Sequence, residues 1–129
     1  MRTAAQYQHD VDGLDVEGIK TSGLSDEEAR QALQKIIEVQ EKLHQTENSL
    51  NLDLHALERQ FQGRANSMNL QNANRGGRAR QEEEQRLDEE KQHKLVPYED
   101  VRKKVEELLP KVEQMRSELE RTVPGAVAK

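Results

Sequence analysis

A chain of 129 residues suffices for one domain, and a net charge of −5 gives no global attraction to nucleic acid or anionic membrane. The absence of Cys excludes disulfides and thiolate metal sites, and no apolar run reaches the roughly 18 residues that a membrane span needs. With no Trp, one Phe and two Tyr, a thick aromatic core is excluded as well.

Leu, Ile, Val and Phe make up 27 of the 129 residues, just above the roughly 20% below which chains tend to be disordered. Charged residues make up 35%, with both signs interspersed. Long helices that each bury one narrow stripe suit this balance. The first residues hold no apolar core of a secretory leader, so an intracellular protein, cytoplasmic or nuclear, is the expectation.

Residues 1–24 carry Gly13, Gly18 and Gly23, a density that disfavours helix and predicts a flexible tail. Within it Val11, Leu14, Val16 and Ile19 alternate with Asp10, Asp12, Asp15 and Glu17. The alternative is an acidic-hydrophobic docking peptide that orders on a partner.

A first helix is predicted over 25–62. Ser25 with Glu28 forms a capping box, and Asp26, Glu27 and Glu28 suit the positive end of the helix dipole. Ala29, Ile36, Leu43, Leu50 and Leu57 then recur every seventh residue, with Leu33, Leu54 and Phe61 on the companion position. Gln40 and Glu47 interrupt this coiled-coil seam and would restrict its register. Gly63 predicts its end.

Residues 63–79 are predicted as a loop rich in Asn, Gly and Arg. Arg75, Arg78 and Arg80 make it a possible anion-binding patch, for phosphate, RNA or an acidic protein surface. No aromatic residue is interleaved to stack a base. Residues 80–96 read as a polar, solvated helix held by its neighbours, or as a partly disordered segment, whose one large apolar residue before Leu95 is Leu87. Pro97, followed by Glu99 and Asp100, predicts a kink or break near 96 and a third helix over 97–122. That helix carries Tyr98, Val101, Val105, Leu108, Val112, Met115 and Leu119 in alternating steps of three and four, and 123–129 is a C-terminal tail.

The expected fold is all-α: an elongated antiparallel helical hairpin or coiled coil, its second arm kinked near Pro97, with a flexible N-terminal tail. Folding about the loop would set Leu57 and Phe61 near Leu87, Leu50 near Leu95 and Val96, Leu43 at the Val101–Val105 turn, and Ile36 near Leu108 and Pro110. Parallel self-pairing through the last helix would oppose Lys111 to Arg116. The cationic flank of Arg102, Lys104, Lys111 and Arg116 would instead accept an acidic helix from another protein. A two-helix rod buries each stripe on one side only, so the remaining helices are expected from a partner.

Glu41-Lys42-Leu43-His44 and Glu90-Lys91-Gln92-His93 are both Glu-x-x-His, the spacing used in di-iron bundles. The further inward Glu residues such a site needs are not indicated, and solvated helix faces explain both motifs. His9, Asp10 and Asp12 could chelate a cation weakly, and His55 falls on the outer helix face. No nucleophile elbow and no phosphate-binding glycine loop occurs. The functional expectation is a non-enzymatic assembly or adaptor subunit, without cofactor or membrane contact, that binds other protein helices in a heteromeric complex. Its seam is Leu33, Ile36, Leu43, Leu50, Leu54, Leu57, Phe61, Val101, Val105, Leu108, Val112, Met115 and Leu119. The alternatives are a nucleic-acid-associated factor using the arginine loop and a metal-binding helical protein.

Overall fold

The computed structural model describes residues 1–71 and 77–123. Among these residues the regular elements are α1 (Ala4–Gly13), a 3-10 turn (Val16–Gly18), α2 (Asp26–Gln71) and α3 (Arg78–Thr122), so the chain is all-α. The Pro124–Lys129 part of the expected C-terminal tail lies outside the described residues.

The predicted capping box opens α2. The Glu28 amide donates to Ser25 Oγ at 3.2 Å, and the Ser25 amide donates to Glu28 Oε1 at 3.1 Å. These bonds hold the Glu28 carboxyl below its usual pKa range. The helix does not stop at Gly63, where glycine was expected to end it. A Cβ there would meet nothing, so the site is unstrained helix. Glycine costs about 1 kcal/mol relative to alanine in a helix interior, too little to end one flanked by apolar contacts. Phe61 before it is buried, and Ala65 and Met68 after it are half-buried. Helix therefore occupies 63–71 and resumes at Arg78, where a loop was predicted. The remainder of that loop, residues 72–76, lies outside the described residues.

The division expected near residue 96 is also absent, because α3 runs from Arg78 to Thr122 with Pro97 and Pro110 inside it. Each proline removes one amide from the helical ladder. Both sit on the exposed face, where water can serve the carbonyls left over. On the opposite face Leu95, Tyr98, Val101, Val105 and Leu108 are buried on either side of the prolines, and this packing carries the helix through.

α2 and α3 lie alongside one another in opposite directions. Arg64 grips Glu90 with two bonds of 3.0 and 2.8 Å, and Arg116 Nη1 donates to Gln40 Oε1 at 2.8 Å. These two anchors set Leu50 level with Val105, Leu43 with Val112 and Ile36 with Leu119. The expected register paired Leu50 with Leu95. It slid because α2 continues past Gly63 and moves the reversal toward Gly77. In the observed register Ile36, Leu43, Leu50, Val105, Val112 and Leu119 are all at 0% exposure.

The largest departure is at the N-terminus. The expected flexible tail holds an ordered helix, α1, packed against both α2 and α3. Thr3 caps it: the Gln6 amide donates to Thr3 Oγ1, and the Thr3 amide donates to Gln6 Oε1. The glycines that argued against helix stand at its exit. Gly18 ends the 3-10 turn, where a Cβ would fall 2.3 Å from the Asp15 carboxylate. Gly23 takes a left-handed φ of +70° just before α2. They mark turns in an ordered crossing, and Val16, Ile19 and Leu24 from that crossing join the core.

Candidate functional site

The fold divides the α2–α3 surface into a covered part and an open part. α1 covers the first through Ala4, Tyr7, Val11 and Leu14, spaced by three, four and three residues so that they share one face. Tyr7 and Val11 are buried, and Leu108 of α3 lies with Val11 and Val16 around a small cleft. The Tyr7 hydroxyl donates to Asp53 Oδ2 of α2 at 2.5 Å. The Tyr98 hydroxyl of α3 donates to the Arg2 carbonyl at 2.6 Å. The two rings meet edge to face at 6.3 Å and 66°, and the Arg2 guanidinium stands 5.3 Å from the Tyr7 ring centre while pairing with Asp10.

Burial first, then the hydrogen bond and charge of Asp53, hold the Tyr7 phenol far above its usual pKa. Burial and Asp53 also push Tyr98 up. Both phenols are therefore neutral donors at any physiological pH.

Electrostatics follow the same division. Lys111 pairs with Glu17 at 3.7 Å, and Lys104 lines the cleft that holds Asp12 and Asp15. Two residues of the cationic flank predicted to accept an acidic helix from elsewhere, Lys104 and Lys111, thus face the chain's own acidic N-terminal segment. Arg102 bonds forward to Glu106, and Arg116 to Glu120 as well as Gln40.

The predicted protein-binding seam is used inside the chain. Ile36, Leu43, Leu50, Leu54, Leu57, Phe61, Val101, Val105, Leu108, Val112 and Leu119 are buried, and Leu33 and Met115 are half-buried against the same core. In this conformation they hold the chain's own helices, and apart from Phe61, which also lines a groove farther along the two helices, they are not a free contact surface. The reason is the third layer: α1 supplies the cover that was expected from a partner.

That cover ends near Leu57 and Leu95, where the core cluster stops. Beyond it α2 and α3 continue as a two-helix arm. Phe61, Ala65, Met68 and Leu87 line a groove of about 570 Å³ on one face, with Glu84 and Asp88 at its rim. Met68 and Leu87 also reach a second groove on the opposite face, beside Gly63, Arg64 and Glu90. Leu70, near the end of the arm, is 81% exposed. Leu87 and Phe61 were legible in the sequence; Met68 was hidden by the loop assigned to 63–79.

The remaining candidates are dispersed. Arg78 pairs with Glu82 and Arg80 with Glu84 along α3, and Arg75 lies outside the described residues. Glu41, His44 and His93 are exposed, and Arg64 lowers the pKa of Glu90 by gripping its carboxylate. His9, Asp10 and His55 are exposed too. Among the described residues no group of three His, Asp or Glu side chains is gathered to hold a metal. Tyr7, Asp53 and Arg2 were missed altogether, and Tyr98 was legible only as part of the apolar stripe of the last helix, not as a hydrogen-bond donor. The signal that could have found them was the Thr3–Gln6 box ahead of the Ala4, Tyr7, Val11, Leu14 spacing.

No helix among the described residues is long and apolar enough to cross a membrane. Comparison with known proteins returns no matching family, no matching curated protein and no matching solved structure.

Proposed function

We propose that this chain is a non-enzymatic helical subunit that binds another protein within a larger assembly, and that the contact is made by the two-helix arm. In this reading α2 and α3 are an antiparallel coiled-coil hairpin bent at Pro97 and Pro110. The base, sealed by α1, is the rigid body, and the arm is the reaching element. The observation that supports it is the open groove at Phe61, Ala65, Met68 and Leu87, which no third helix among the described residues covers. A paired arm buries each apolar stripe on one side, and an incoming helix would complete it as α1 completes the base. The flanking charges would select the partner more than they would tighten it.

The test is photo-crosslinking in the native cell from a benzophenone side chain at position 68 or 87. A discrete adduct from both positions, the one at 68 lost with Leu87→Asp, and none from a label at exposed position 55, is the expected result. Free, uncrosslinked chain at both arm positions would refute the arm as the contact.

A further inference from the structure

We propose that the groove between α2 and α3 at the base is a recognition site for a short acidic helix. On this proposal α1 is its resident occupant, and a tyrosine-bearing acidic helix from a partner protein can take α1's place. This site is separate from the arm and does not depend on it.

α1 has the properties of a bound ligand. Its 10 residues fall short of the roughly 12–15 that an isolated helix needs for even marginal stability in water, so its order comes from the groove. Its anchors repeat the pattern by which amphipathic helices enter grooves. The bonds that hold it are ones another chain could offer. Asp53 takes a phenol hydroxyl, and Tyr98 reads a backbone carbonyl, which every residue carries. Lys111 and Lys104 face carboxylates that follow the apolar anchors. Charge therefore names the partner: a helix with an aromatic hydroxyl among its apolar anchors and acids toward its C-terminal end.

The connection between α1 and α2 suits release. Asp15 sits at a left-handed φ of 47° and Gly23 at +70°, so the crossing is held by a few special backbone positions rather than by a continuous helix. Its departure would free Leu108 beside the vacated places of Val11 and Val16.

The experiment uses the full chain and a fluorescent synthetic peptide of residues 1–18. Val11→Asp weakens the resident helix and leaves the groove intact. We expect this variant to bind the peptide saturably and roughly 100-fold or more tighter than the unaltered chain, whose tethered α1 competes at high effective concentration. Adding Asp53→Ala should weaken that binding about tenfold, the loss of one hydrogen bond to a charged group. Leu87→Asp in the arm should leave it unchanged. A helical Val11→Asp chain that binds no peptide, or binding lost through Leu87→Asp, would overturn the proposal. Should Val11→Asp unfold, native-state hydrogen exchange on the unaltered chain decides. Exchange of the α1 amides roughly 100-fold or more faster than those of Leu43–Leu57 supports release, and α1 amides that open only with the whole molecule contradict it.

Discussion

The Tyr7 hydroxyl bonds Asp53 of α2 while its ring meets Tyr98 of α3, so one side chain touches both long helices. Its replacement by Phe keeps the ring and strands a partly buried carboxylate. Tyr7→Phe should cost roughly 1–2 kcal/mol, measured by urea denaturation. The pH response has a definite sign. Burial and Asp53 raise both phenols above their unfolded values. The unfolded chain then loses phenolic protons first as the solution becomes alkaline, and stability falls with rising pH. Stability from these groups should be fully present below about pH 10, the unfolded phenol value, and be lost above it. Denaturation midpoints taken on either side of that point should diverge, and a Tyr7→Phe, Tyr98→Phe double variant should flatten the change. Gln40 was legible as a polar break in the seam, but its partner was not. Arg116 is seventy-six positions away in sequence, and only the register of two helices brings it there. A double-mutant cycle on Gln40→Ala and Arg116→Ala should show a coupling of about 1–2 kcal/mol, as for a hydrogen bond to a charged group.

Element boundaries were legible where a local bond sets them and obscured where packing overrides propensity. Ser25 and Glu28 mark the start of α2 because their reciprocal bonds need only four residues. The end of α2 depends on whether contacts at Phe61, Ala65 and Met68 outweigh one glycine, which no window of sequence around Gly63 reveals. Gly63→Ala should therefore stabilise the chain by about 0.5–1 kcal/mol in thermal or chemical unfolding, since alanine favours helix and meets no neighbour. A loop at 63 would show no such gain. α3 teaches the same lesson with proline: its two prolines lie on the wet face, so they cost ladder bonds without disturbing the buried side. α1 was hidden because three glycines in its neighbourhood were read as one region, although Gly13 is the last residue of the helix and Gly18 and Gly23 follow it. Thr3→Ala should loosen α1 by about 1 kcal/mol, seen as faster amide exchange at Gln6 and Tyr7.

At the scale of the molecule, the apolar stripes were legible almost residue by residue, but what covers them was not. Composition argued for thin helices short of apolar surface, and that part follows from the single Phe and the absence of Trp. Coverage from outside did not follow, because Tyr7, Val11 and Val16 from the N-terminal segment close the base. What remains uncovered is the arm, and its groove supports the proposed contact with another protein. The claim beneath all of this is that one chain seals its own seam. Light scattering combined with chemical unfolding over a wide concentration range tests it most directly. The account predicts the mass of a single 14.8 kDa chain and an unfolding midpoint that does not move with concentration. A midpoint that climbs with concentration, with helicity lost on dilution, would show that the stripes are completed between chains and would contradict it.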